Sequence, residues 1–118
     1  MKAYTDLEQS KMLAEILFIE SADMWYPGED EDDIECGFDG VRQDLYIDYR
    51  EGHPCWSLAA LFDVLPEGVI ENYYAPNFQK ENGKYSIAYG DEELLCVADN
   101  PVDACYEMIL KLYEQKLL

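Results

Sequence analysis

Two kinds of side chain in this 118-residue sequence could do chemistry: one histidine with four cysteines, and a dense run of carboxylates. His53 and Cys55 are the only histidine and cysteine that are near neighbours in sequence. A Cys–His catalytic pair needs the imidazole within hydrogen-bond reach of a thiol whose pKa is lowered. The surrounding carboxylates would raise that pKa, and Pro54 favours a loop that leads into a helix. A small hydrolase or metal-dependent enzyme that uses His53 and Cys55 is therefore the alternative to a non-enzymatic binding function of the carboxylates.

The other cysteines are Cys36, Cys96 and Cys105, and no two cysteines form a C-x-x-C pair. A zinc site at His53 and Cys55 would need two further ligands, and no neighbouring residue supplies them. Cys96 and Cys105 lie on predicted apolar faces and are better explained as small buried residues. The sequence therefore predicts no catalytic residue, no metal site and no cofactor.

The carboxylates are concentrated in one part of the chain. Six of the seven residues at 29–35 are acidic, and the segment from Glu20 to Glu51 has twelve acids and two arginines, a net charge of −10. Like charges at this density favour an extended, solvated loop, which we place at about 27–40. The loop either keeps the protein soluble or imitates nucleic-acid phosphates in a basic groove. The EF-hand pattern fails, because no register has Asp or Asn at its first, third and fifth positions with Gly at the sixth.

The candidate partner-binding residues are the carboxylates of this region: Glu29, Asp30, Glu31, Asp32, Asp33, Glu35, Asp39, Asp44 and Asp48. The whole chain has 26 acids, 8 bases and a net charge of −18. Such a charge repels nucleic acid and anionic membranes and attracts basic surfaces. We therefore expect a non-enzymatic accessory protein whose partner is a protein with a basic surface, such as a nucleic-acid-binding protein. No direct nucleic-acid or membrane contact is expected.

The sequence gives no sign of export or of a membrane span. The N-terminus leads into an amphipathic helix instead of an apolar signal-peptide core. No apolar run approaches the ~18 residues needed to cross a bilayer. We therefore expect a cytoplasmic protein with free thiols.

The best-defined element is a C-terminal helix that begins at Asn100 and Pro101. Asn100 can cap the helix, Pro101 suits its first position, and Asp103 and Lys111 complement its dipole. Near the N-terminus, Thr5 and Glu8 have the spacing of a capping box for a helix that reaches about residue 18.

Between these helices the patterns predict strands, a turn and one further helix. Strands are expected at 22–26, 45–50, 69–74, 84–89 and 94–97, and a short buried helix at 56–65. Gly52, His53 and Pro54 break the strand before them, and Asn82-Gly83 is typical of a two-residue hairpin turn. The order favours one compact α+β domain over residues 1–118, with three helices on a mostly antiparallel sheet of about four to five strands.

Three segments carry a resemblance: residues 4–10 with 22–24, residues 55–61 with 65–66, and residues 98–105 with 111–112. Together they resemble small uncharacterised proteins encoded by phages, prophages and other mobile elements of gut bacteria. The final strand, the residues Ala98-Asp99-Asn100-Pro101 and the helix after them are also similar to the phage α/β/α-sandwich domain. The resemblance covers about half the chain and excludes the acidic middle. It implies a fold and a mobile-element origin, and no activity or site residue.

Overall fold

The computed structural model describes residues 2–26, 52–68, 75–90 and 94–118. In these ranges the chain forms three α-helices, one short 3-10 helix and five strands, and the strands form two antiparallel sheets. The α+β class, the three helices and the antiparallel strands were predicted, and the structure confirms them. Within the described ranges, the strands form one sheet of two strands and one of three.

The chain divides into two compact units, Ala3–Ala60 and Leu61–Leu118 with Met1–Lys2. Each is described by itself below. The predicted acidic loop at about 27–40 and the predicted strands at 45–50 and 69–74 lie outside the described residues. A single domain over residues 1–118 stays a prediction.

Helix α1 spans Leu7–Ile16, and its N-cap lies one residue later than the predicted N-cap, Thr5. Asp6, not Thr5, is its N-cap: the Asp6 carboxylate accepts from the Gln9 amide at 2.8 Å, and the Gln9 side chain accepts from the Asp6 amide at 3.0 Å. The helix also ends earlier than expected, and a 3-10 helix at Ile19–Ser21 follows it.

The Thr5 hydroxyl has a different role from the predicted cap, because Thr5 is fully buried. Its Oγ1 atom lies 2.7 Å from the hydroxyl oxygen of Ser10 and accepts a hydrogen bond from the Trp56 amide at 3.2 Å. The Thr5 hydroxyl thus bonds to groups inside the first unit and does not cap α1. Asp6, the next residue with a capping side chain, takes that role.

Strand β1, Met24–Tyr26, pairs with strand β2, His53–Cys55. The loop expected at Pro54 is wrong, because His53–Cys55 forms β2. The strand that Gly52, His53 and Pro54 were predicted to break lies outside the described residues. Pro54 lies opposite Trp25, and proline is tolerated in a strand with an outer edge. A Cβ atom at Gly52 would collide with the Tyr26 carbonyl oxygen and the Trp25 ring, so glycine permits this close approach.

Helix α2, Leu58–Val64, confirms the predicted short helix. The Ser57 hydroxyl accepts from the Ala60 amide at 3.2 Å and so caps its first turn. Leu61 and Leu65 are buried. Pro66 follows directly, as expected for a residue that cannot continue a helix.

The second unit contains a three-stranded meander of β3 at Asn77–Glu81, β4 at Lys84–Tyr89 and β5 at Leu94–Ala98. Asn82 and Gly83, with φ angles of 53° and 75°, connect β3 to β4, which confirms the predicted hairpin turn. The sequence analysis expected the strand before this turn at 69–74 and missed β3. All five β3 residues are exposed, so the strand lacks the apolar alternation used to find strands.

Helix α3, Pro101–Glu114, packs against β4 and β5. The Asn100 side chain accepts from the Asp103 amide at 2.8 Å, and Pro101 occupies the first turn, as predicted. Lys2 forms an ion pair with Asp103 at 2.8 Å. No helix in the described ranges is long and apolar enough to cross a lipid bilayer.

Candidate functional site

The nine carboxylates predicted to bind a partner all lie outside the described residues. These are Glu29, Asp30, Glu31, Asp32, Asp33, Glu35, Asp39, Asp44 and Asp48. Their high density in the sequence and their share of the net charge do not depend on the structure. Their role therefore stays a prediction based on sequence.

The second candidate, Cys55, lies in a buried polar cluster of the first unit. Its Sγ atom donates to the Thr5 carbonyl oxygen at 3.3 Å and lies 3.5 Å from Thr5 Oγ1. The same carbonyl accepts a hydrogen bond from the Tyr26 hydroxyl at 2.7 Å. Cys55, Thr5 and Ser10 are all fully buried and Tyr26 nearly so. The cluster joins the first residues of the unit to both strands of its sheet.

Burial raises the pKa of the Cys55 thiol above its ordinary value. Hydrogen bonds from Thr5, Ser10 and Tyr26 act in the opposite direction but are outweighed, and the nearby Asp23 carboxylate raises the pKa further. The nucleophilic form of cysteine is the thiolate, which needs a lowered pKa and solvent access. This geometry suits a structural thiol and does not fit the catalytic role of the His53/Cys55 alternative.

Two further cysteines lie in the second unit, and both are buried, as the sequence analysis predicted. Burial raises the pKa of Cys96, and it raises the pKa of Cys105 to about 12. Cys55, Cys96 and Cys105 are free thiols. Within the described ranges, no three His, Cys, Asp or Glu side chains are grouped so that they could hold a metal ion.

The structure also shows a groove that the sequence analysis missed. It lies in the second unit, beside α3, and has a volume of about 230 Å³. We call it the α3 groove. It is lined by apolar, aromatic and a few polar residues: Phe62, Phe78, Gln79, Lys80, Tyr85, Ser86, Ile87, Pro101, Ala104 and Cys105.

Strand register explains how the groove forms. Phe78 pairs with Ile87, and Lys80 pairs with Tyr85, so these four side chains share one face of the sheet. Helix α3 packs on β4 and β5, which leaves space between the helix and β3. The Asn82-Gly83 turn contained the signal for this register, because counting outward from a two-residue turn pairs residue 78 with residue 87.

The α3 groove adjoins a second groove, and two aromatic rings in contact line both. The ring centroids of Phe62 and Phe78 lie 4.7 Å apart, with the planes tilted by 48°. Both rings line the second groove as well, together with Leu65, Pro66, Glu67, Ala75 and Pro76. Phe62 and Phe78 are 43% and 45% exposed, so two neighbouring aromatic rings that line both grooves are accessible to a ligand.

The sequence has ten tyrosines, and the adjacent pair Tyr73-Tyr74 suggests the hypothesis of an aromatic protein-binding surface, with a sheet covered on both faces as the alternative. Tyr26 and Tyr89 are buried, and the Tyr89 hydroxyl donates to the Pro66 carbonyl oxygen at 2.7 Å. Burial, with a smaller contribution from Cys105, raises the pKa of Tyr89 to about 12. Tyr113 is half exposed. Tyr73 and Tyr74, which suggested the hypothesis, lie outside the described residues.

In comparisons with models of protein families, with curated proteins and with solved structures, nothing matches this chain. Its function therefore has to be inferred from its own charge, burial and geometry.

Proposed function

We propose that the protein is a non-enzymatic, acidic accessory protein that binds a macromolecular partner through a basic surface on that partner. The observation that carries the proposal is the charge: −18 over 118 residues, with a net −10 between Glu20 and Glu51. Clustered carboxylates attract a basic surface from a distance and speed its association. A cytoplasmic location, in which Cys55, Cys96 and Cys105 stay reduced, is part of this proposal.

A specific form of the proposal is nucleic-acid mimicry. Carboxylates along residues 29–48 would occupy the positions of phosphates in the basic groove of a DNA- or RNA-binding protein, and binding would release the same counterions. The resemblance to proteins of phages and mobile elements supports this form, because such elements gain from blocking host nucleic-acid enzymes.

The burial and raised pKa of Cys55 favour a binding function over the alternative enzyme. A protonated thiol that donates to a backbone carbonyl is a poor nucleophile. Rapid, selective modification of native Cys55 by a thiol reagent would reverse this preference.

The proposal is tested with two variants of equal charge. One carries Asp30→Asn, Asp32→Asn, Asp33→Asn and Glu35→Gln in the acidic segment. The other carries Gln at Glu15, Glu81, Glu107 and Glu114, which are all exposed and lie outside the acidic segment. Each variant has a net charge of −14 instead of −18. Partners are captured from host lysate with wild-type protein, identified, purified and then titrated with all three proteins across a salt series.

We expect the acidic-segment variant to bind more weakly and with a shallower salt dependence than the control. For a phosphate-like interface, the slope of log K against log salt is about −0.9 per replaced phosphate contact. Nucleic acid should compete with the protein for the same partner. Equal affinity and equal salt slope for the two variants would show that the acidic segment is only a solubilising surface.

A further inference from the structure

The α3 groove has no part in the proposed function, although its walls are well defined. Three aromatic rings, Phe62, Phe78 and Tyr85, line it. Ile87, Ala104 and Cys105 also line it, and each of these is at most 2% exposed. An apolar concavity with a few polar groups is the usual form of a small-molecule site.

One cation gives the groove its polarity. Among the described residues that line the groove, Lys80 is the one with a charge. Its ammonium lies 5.4 Å above the centre of the Tyr85 ring, within the range of a cation–π contact. In the part of the chain that the structure describes, Lys2 and Lys84 pair with carboxylates, whereas Lys80 has no such ion pair. Within the described residues, Lys111 and Lys116 also have no ion pair, but neither lines the groove, so the position of Lys80 at an apolar surface is what distinguishes it.

We propose that the α3 groove binds a small carboxylate whose apolar body lies against the aromatic walls and whose anionic end meets Lys80. Size supports an occupant of about one ring with a short chain. A dry cavity of about 150 Å³ is enough to hold benzene, and this groove has about 230 Å³.

The positive charge of Lys80 favours a small carboxylate over an uncharged apolar ligand. The neighbouring groove shares Phe62 and Phe78, but its charged lining residue is Glu67, which would repel a carboxylate. The net charge of −18 opposes anions at long range, so the ligand carries a single charge. At physiological salt, screening over about 8 Å weakens this repulsion more than it weakens direct contact with Lys80.

The test uses 3-phenylpropanoate and its uncharged analogue 3-phenylpropan-1-ol. Each is titrated to about 10 mM into the full-length protein, and NMR follows the methyl groups of Ile87 and Ala104 in the groove. Leu13, in the core of the first unit, serves as the reference. We expect a dissociation constant of the order of 1 mM for the acid, weaker binding of the alcohol, and shifts at Ile87 and Ala104 but not at Leu13.

Two lysine variants test the anionic contact. Lys80→Gln and Lys84→Gln change the net charge equally, and register places residues 80 and 84 on opposite faces of the sheet. Lys80→Gln should weaken binding of the acid about two- to five-fold, the range for an exposed ion pair, and leave the alcohol unchanged. Lys84→Gln should change neither.

A third variant tests the apolar wall. Phe78→Ala removes a half-exposed ring and should weaken both ligands, while thermal melting checks that the variant is folded. The proposal is overturned by no binding of the acid, by equal binding of acid and alcohol, by equal effects of the two lysine variants, or by shifts outside the groove.

Discussion

The carboxylate of Asp23 accepts two hydrogen bonds from Ser57. One comes from the Ser57 hydroxyl, and the other comes from the Ser57 amide at 2.9 Å. The same hydroxyl accepts from the Ala60 amide in the first turn of α2. Asp23 directly precedes β1, so this pair connects the start of that strand to the start of the helix. The contact depends on a carboxylate that two donors satisfy.

Asp23→Asn should destabilise the first unit, because an amide replaces one of the two acceptor oxygens with a donor that faces the Ser57 hydroxyl. Hydrogen bonds to charged groups contribute about 1.5–3 kcal/mol, so we expect a loss of this size in the free energy of unfolding. Urea denaturation measures it. Glu20→Gln removes an exposed carboxylate three residues earlier and should change stability by less than about 0.5 kcal/mol. Equal losses in the two variants would contradict the structural role of Asp23.

Cys55, Cys96 and Cys105 should resist thiol reagents in the native protein. Burial raises the pKa of each thiol, which leaves little thiolate and little access at neutral pH. The measurement is alkylation with iodoacetamide at pH 7.5, with the modified residues located by mass spectrometry, with and without denaturant. We expect modification of these three cysteines only in denaturant. Fast native labelling of Cys55 would favour the catalytic alternative.

Raising the pH above 9 should destabilise the fold through Cys105. Burial raises its pKa from the ordinary 9.0 to about 12, so between these values the thiol ionises in the unfolded chain but not in the native one. Stability is therefore fully present below pH 9 and falls by about 1.4 kcal/mol per pH unit for this group as the pH approaches 12. Urea denaturation at pH 8 and pH 11 measures this loss.

The matched variant for this prediction is Cys105→Ala. It should be less stable than wild type at pH 8, because a buried sulfur is lost. Its further loss between pH 8 and pH 11 should be smaller than that of wild type by about 2–3 kcal/mol. Parallel losses in the two proteins would mean that Cys105 does not control alkaline unfolding.

Gly83→Ala should cost about 1–2 kcal/mol of stability, the usual penalty for a side chain in the left-handed region. Gly83 has a φ of 75°, and a Cβ atom there would have no heavy atom within 4 Å. The loss would thus come from backbone conformation and not from a clash. Asn82→Gly, at the adjacent position with φ 53°, should change stability little, because glycine adopts this conformation freely. Thermal melting of both variants separates the two effects.

Sequence alone predicted the elements whose signals are local. Helix α3 is the best example, because two adjacent residues, Asn100 and Pro101, specify where it begins. The Asn82-Gly83 turn is another. In both cases the backbone conformation follows from the residues themselves, with no partner needed from elsewhere in the chain.

The incorrect predictions concern elements whose conformation depends on residues that are distant in sequence. Thr5 and Asp6 can both cap a helix, and the choice depends on Trp56, about fifty residues away, whose amide uses the Thr5 hydroxyl. His53 and Pro54 form a strand only because β1 pairs with them. The α3 groove was missed because β3 is exposed and has no apolar alternation, although the Asn82-Gly83 turn determines the register of β3 on β4.

The three buried thiols have a consequence for the lifetime of the protein. Oxidants reach a cysteine only through its exposed thiol or thiolate, and oxidation beyond sulfenic acid is not reversed for an ordinary cysteine. Every unfolding event therefore opens a brief opportunity for permanent damage at Cys55, Cys96 or Cys105, which folding otherwise closes. When refolding is faster than oxidation, the fraction of time spent unfolded, and hence the equilibrium stability, sets how long the chain survives under oxidising conditions.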